Sequence, residues 1–324
     1  MNELTRCCLH ALKHNLGVSA DEEVLVVTDR NKRSIGEAFA GAAGVLTEKV
    51  EVVEIPVAQF NGQEPPAYVA QKMLGASVIL MPVTMSLSWT HARMAATEQG
   101  VRIASMGGGL RDEIILRTFC IDYAPIRRRV NQICDLLDRA EAIRITTSAG
   151  TDISFRVRGR RGRGRKGGIY TEKGAWGNLP CGEAFTAPVE GETNGVYVID
   201  ASQAGVGRVE QPIKVTVRDG FAVRFEGGEE ATVLRKMLEQ VGSRLAFNIA
   251  ELGIGCNDKA RVTGATIEDE KVLGTCHIAL GSNIFFGGNV DAGIHVDGIL
   301  TAPSIWFDDL LIMKEGRLQA GEVA

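Results

Sequence analysis

Between Asn248 and Asp297 the chain gathers side chains of the kinds that hold catalytic metals: Glu251, Glu268, Glu270, His277, His295 and Asp297. Two of the chain's five histidines fall in this span, both in apolar company. In GIHVDGIL, His295 and Asp297 alternate with Ile294 and Val296. Residues two apart on an extended strand share a face, so the imidazole and the carboxylate point one way and the aliphatic pair the other. In CHIALG, His277 stands in a similar run. Burying imidazoles and carboxylates among such strands is costly unless they pair or bind a cation. A neutral imidazole beside carboxylate oxygens suits Zn, Fe, Mn or Co. A lone histidine next to a strand is more often a core or surface residue. The second apolar-flanked histidine, with Glu251 near it, tips the reading to a metal site.

The elements that must carry these residues follow from the patterning. Val24–Val27, Val50–Val57, Ser77–Val83 and Val101–Ser105 read as strands. Helical spacing separates them, at 34–46, 66–74 and from Ser88 or Thr90 to Gln99. Strand–helix alternation of this kind predicts a doubly wound parallel sheet. Pro125–Ala140 steps by three and four and predicts a helix. After it the texture changes to strands and glycine-rich turns, interrupted by a helix over 229–245. The expected organisation is therefore an α/β domain at 1–140 and an α+β metal-binding catalytic domain at 141–324, with the metal motifs on its later strands and loops.

Several function classes lose support. A net charge of -4 over 324 residues gives no general attraction for nucleic acid or membrane. No apolar run reaches the roughly 18 residues that span a bilayer, and the N-terminal stretch lacks a signal peptide's apolar core. The seven scattered cysteines contain no C-x-x-C pair and fit reduced thiols in a cytoplasmic protein. Cys181, Cys256 and Cys276 lie in or beside the metal motifs and read as small buried filler rather than soft ligands. Seven of the eleven residues of Arg156–Lys166 are basic. Glycine alternation and the lack of aromatics make this run a solvated loop first and an anion or partner site second. Gly162, Gly164 and Gly167 match G-x-G-x-x-G, but no helix is expected to open there. No G-x-S-x-G is present, so a serine nucleophile elbow has no support.

NIAELGIGCN, TCHIALGS and HVD, with GNLPCGEAFTAP upstream, resemble the thermophilic metallo-aminopeptidases of the aminopeptidase T and S type. The resemblance implies two divalent metals, Zn, Co or Mn, held by Glu183, Glu251, His277, His295 and Asp297. Glu270, or else Glu268, would be a further acidic residue, and Glu251 or Glu270 a general base. It also implies a homodimer acting on a short peptide or another small molecule. One departure stands out. The family peptidases carry a catalytic tyrosine soon after HIALG, where this chain has Ile284-Phe285-Phe286. Metal-dependent hydrolysis is thus the leading expectation, with a substrate outside ordinary peptides. At H-x-D the chain also resembles the mononuclear iron dioxygenases of the same superfamily that cleave dihydroxypyridine rings, and this second resemblance implies His277, His295 and Asp297 as a two-histidine, one-carboxylate face. A third expectation is a non-catalytic metal-binding protein.

Overall fold

Short apolar runs too brief to be helices, each entered from a polar turn, become the strands of a parallel sheet. In the computed structural model, which describes residues 1–319, that sheet runs in the order Val50–Ile55, Val24–Asp29, Val78–Met81, Arg102–Ser105 and Trp176–Asn178. Every neighbouring pair is parallel. Strands buried on both faces need no polar alternation, which is why Val24–Asp29 and Val78–Met81 are buried throughout. Leu25, Val27, Ile79, Met81 and Ile103 form a core with Val69, Met73 and Ala96 from the intervening helices. Each of these Leu, Val, Ile and Met side chains contributes on the order of 1.5–3 kcal/mol by leaving water. Thr90 caps the helix His91–Glu98, accepting from the Arg93 N–H at 3.2 Å.

The chain divides into two compact units, and no single cut separates them. One comprises Met1–Arg127 and Lys166–Cys181, and the other Arg128–Arg165 and the chain from Gly182 onward. The second excursion adds the edge strand Trp176–Asn178 to the parallel sheet. The fold is thus mixed α/β, a parallel sheet in one unit and antiparallel sheets in the other. Among the described residues no helix is long and apolar enough to cross a membrane.

The second unit is built on two antiparallel sheets. One has eight strands. The other, which carries the chemistry, has the order Gly207–Arg208, Ser202–Gln203, His295–Thr301, Thr275–Gly281, Ile249–Gly255 and Glu183–Thr186. The helix expected over 229–245 ends sooner, as Glu229–Gln240. Gly242 takes the left-handed region at φ 72°, which ends the helix, and Arg244–Phe247 forms a short 3₁₀ turn.

The basic run is not free. Arg161 pairs with Asp138 at 3.2 Å, and Arg165 with Asp135 and Asp138 at 2.6 and 2.9 Å, in and just past the last turn of the helix Ala124–Leu137. Arg158 lies 3.6 Å from Glu192, and Arg160 pairs with Glu190. These local carboxylates answer much of the charge that the sequence leaves open for an anion.

Candidate metal centre

Register decides which side chains meet. Across the three longest strands of the six-stranded sheet, His277 stands opposite Gly253 and Ile299, Ala279 opposite Asp297, and Gly281 opposite His295. Glu251 pairs with Ala279, and Glu183 on the outer strand pairs with Gly255. Directly opposed residues share a face. The sheet therefore presents Glu183, Glu251, His277, His295 and Asp297 on one side. Leu252, Ile254, Ile278, Leu280, Val296 and Leu300 alternate with them and are all buried.

The residues between the functional ones are small, and this leaves the space. A Cβ on Gly253 would lie 2.0 Å from His277 Nε2, so the imidazole rests directly on the glycine. A Cβ on Gly255 would lie 1.9 Å from the Val272 carbonyl, so the segment leading to His277 crosses the sheet there.

The side chains converge tightly. His277 Nε2 is 3.2 Å from Glu251 Oε1 and 3.6 Å from Glu183 Oε2. His295 Nε2 is 3.4 Å from Glu251 Oε2 and 3.3 Å from Asp297 Oδ1. Donor atoms of Glu251, His295 and Asp297 all lie within 4.8 Å of one another, and His277 joins them through the other oxygen of Glu251. His295 Nδ1 is 2.8 Å from the Ser282 carbonyl, to which it donates. That bond fixes the ring and turns Nε2 toward the carboxylates, the usual second bond of a metal-bound histidine. Two buried atoms, Glu183 Oε2 and His277 Nδ1, have no hydrogen-bond partner.

Glu270 belongs to this cluster and Glu268 does not. Glu270 hydrogen-bonds Asp297 and lies 2.5 Å from Lys271 Nζ. Glu268 turns away to accept from the Arg261 N–H at 3.0 Å. Sequence reasoning missed Lys271, whose side chain is wholly buried with Nζ 2.6 Å from Glu183 Oε1. In the run IEDEKV it looks like one more charge of a solvated turn. All seven cysteines are free thiols. Burial pushes those of Cys256 and Cys276 far up, so they stay protonated as filler.

The electrostatics are those of a site short of positive charge. Burial alone would push the imidazole of His277 down. The hydrogen bond to Glu251 and the charges of Glu183, Glu251 and Asp297 outweigh it and raise the pKa to about 9. His295 is raised well above its ordinary value against burial, chiefly by Asp297. Burial would raise Glu251 and Asp297, yet the imidazoles hold both below the usual carboxylate range. Burial raises Glu270 to about 8 in spite of Lys271.

These shifts have a consequence for stability. His277 moves from 6.5 to about 9 and Glu270 from 4.5 to about 8 on folding, so the folded state binds more protons near neutral pH. Stability then falls as pH rises. The His277 contribution is complete below pH 6.5 and gone above about 9. Calorimetry on chelator-treated protein should therefore show Tm decreasing across that window, and bound divalent metal should flatten the slope by replacing the protons. A Tm of metal-free protein that is level or rising across it would show that the imidazoles are not charged by the cluster.

Fold and side chains together define a buried cluster that could hold a metal: imidazoles and carboxylates converging on a sheet face inside an α/β protein. A model of the 2,5-dihydroxypyridine 5,6-dioxygenase family (NicX) matches residues 3–320, and the chain belongs to that family. No curated protein matches it in sequence. Among solved structures, 2,5-dihydroxypyridine dioxygenase from Pseudomonas putida KT2440 is similar over 100% of both chains, with TM-score 0.86 and 21% identity. AmpT from Thermus thermophilus is similar over 98% of both, with TM-score 0.69 and 18% identity. At such identities these likenesses concern the fold. The family match overturns the aminopeptidase assignment, and with it the hydrolase and metallopeptidase expectations. The motifs behind that resemblance lie on the sheet strands and around the clustered side chains. They track a shared architecture rather than peptide chemistry. The family implies a divalent metal, and a pair of Zn, Co or Mn ions has no support beyond the abandoned resemblance.

Proposed function

We propose that this protein is an iron(II)-dependent dioxygenase that opens the ring of a dihydroxylated pyridine. In this reading the first unit is a doubly wound α/β domain and the second is catalytic. The observation that carries it is the convergence of both imidazole Nε2 atoms on the Glu251 carboxylate with Asp297 alongside, in a chain of this family.

The residues fit a metal. The donor set is mixed nitrogen and oxygen, buried, and anchored from behind at His295 Nδ1. His277, His295 and Asp297 would hold the ion, and Glu251 lies within reach of both imidazoles. Two histidines and one carboxylate leave positions open for ligands, the arrangement of non-haem iron oxygenases. A bound ferrous ion would supply the one-electron chemistry that lets dioxygen react with an aromatic ring.

The chain's own residues do the rest. Phe286 sets its ring edge-on to His295 at 5.6 Å and to Phe185 at 5.8 Å, a flat apolar wall beside the imidazole. Ile284 and Phe285, its neighbours in the chain, are each 42% exposed, and in this reading they cover an aromatic substrate. The same residues stand where the peptidases keep a tyrosine, so the departure in the sequence becomes a specificity feature. Glu251 is kept charged next to the imidazoles and is placed to accept a hydroxyl proton at Oε1 or Oε2. Glu270, at about 8, is poised to give or take a proton near neutral pH.

Anaerobically purified protein reconstituted with Fe(II) should consume one dioxygen per 2,5-dihydroxypyridine, with loss of the ring's ultraviolet absorption. The turnover should fall within roughly 1–10³ per second. Aminoacyl amides should remain intact. Hydrolysis of those amides, or no oxygen uptake with any dihydroxypyridine tried, would sink the proposal.

A further inference from the structure

The buried carboxylates sort by the cation they meet into two pairs, joined where Glu270 hydrogen-bonds Asp297. Glu251 and Asp297 flank His295 Nε2 at 3.4 and 3.3 Å. Glu183 and Glu270 flank Lys271 Nζ at 2.6 and 2.5 Å. The first pair meets an imidazole and the second an ammonium. A lysine ordinarily runs its charged head out to water, but the Lys271 side chain is 0% exposed.

The backbone holds it there. The Asn257 N–H donates to the Lys271 carbonyl at 2.7 Å, and the Leu273 N–H to the Asn257 carbonyl at 3.0 Å. This docks the segment onto the sheet face, where Gly255 has no side chain to obstruct it: a Cβ there would lie 3.0 Å from the Lys271 carbonyl carbon and closer still to Val272. The carboxylate pair keeps capacity that the ammonium does not use, since Glu183 Oε2 is buried, lacks a hydrogen-bond partner and faces His277 Nε2 at 3.6 Å.

The geometry points to Lys271 as a built-in second cation: its ammonium fills the Glu183–Glu270 half of the cluster and limits the site to one metal ion. This rests on the proposed reading in which His277, His295 and Asp297 hold the one metal ion. An ammonium and a divalent ion compete for the same oxygens, and two buried carboxylates left without either are strongly disfavoured. Removing the ammonium while keeping the carboxylates should therefore open a second metal position. Lys271 is on this account a positioning residue, and the number of bound ions reports its role directly.

The full-length protein is stripped with chelator and titrated with Mn(II), with free ion followed by electron paramagnetic resonance and bound ion by elemental analysis. Wild type and Lys271→Arg should bind one ion per chain. Lys271→Met and Lys271→Gln, checked for folding by circular dichroism, should bind two. Two ions in wild type overturn the inference and leave the metal reading standing, as does a single ion in either folded neutral variant. No ion in wild type overturns both. If neither neutral variant folds, the wild-type and Lys271→Arg counts decide: one ion in each supports the inference, and two in either overturns it.

Discussion

Replacing His295 by Ala is expected to empty the metal site. His295 is the one residue whose Nε2 lies between two carboxylates of the tight set, Glu251 and Asp297. It is also the one whose orientation the backbone fixes, through the Ser282 carbonyl at 2.8 Å. The other imidazole of the cluster does not take its place, because His277 sits across Glu251, opposite Gly253 in the register. Loss of an outer-sphere partner costs a metal site about 10–100-fold in affinity, and loss of a ligand should exceed that. Metal content after gel filtration should fall from one ion per chain to a small fraction, and oxygen uptake should vanish with it. Asp297→Ala should behave alike. The two variants should differ when metal-free. Without His295, Glu251 and Asp297 lose a positive neighbour, so that variant should melt lower at neutral pH, whereas Asp297→Ala removes a buried charge. A His295→Ala protein that keeps a stoichiometric ion would show that the metal is held elsewhere.

How much of this the sequence discloses depends on the range over which each feature is encoded. The alternation in GIHVDGIL is local, and it places His295 and Asp297 on one face without any knowledge of the fold. Val24–Val27 is likewise local, because a strand buried on both sides shows itself as an unbroken apolar run. Glu183 is different. It meets Gly255 only through pairing of distant strands, and nothing near residue 183 encodes that register, so it was reached through a motif alone. Lys271 was invisible for a further reason. Charged residues in a turn are nearly always solvated, and its burial depends on Gly255, a glycine on the strand Ile249–Gly255 that the turn crosses. The chemistry was the least legible part. The motifs with candidate metal ligands fit a hydrolase or an oxygenase equally, since imidazoles and carboxylates serve both. The departure at Ile284-Phe285-Phe286 weakened the peptidase reading without replacing it, and it was the family match over residues 3–320 that separated the two.

Gly253→Ala tests the floor of the site and should be among the most damaging single-methyl changes in the protein. The added carbon would lie 2.0 Å from His277 Nε2, 2.1 Å from Cε1 and 2.9 Å from Cδ2. Real Cβ contacts do not come so close, so something must move. The backbone at 253 is hydrogen-bonded between the strands on either side, which leaves the imidazole. The ring is wholly buried, with Glu251 and Glu183 against its Nε2, and has no open direction to swing. Overpacking of this kind costs about 1–3 kcal/mol. The displaced Nε2 would also leave Glu251, and with it the second nitrogen proposed for the metal. The expected result is a folded protein with lowered Tm, metal content well below one ion per chain and no measurable ring cleavage. Gly41→Ala is the matched control. Gly41 lies in the helix Arg33–Ala43, and a Cβ there meets nothing within 4 Å. Helix propensity then favours alanine by about 0.8–1 kcal/mol, so this variant should melt slightly higher and turn over normally. If Gly253→Ala keeps its iron and full activity, His277 does not hold the metal, and Glu251 with His295 and Asp297 must do so without it.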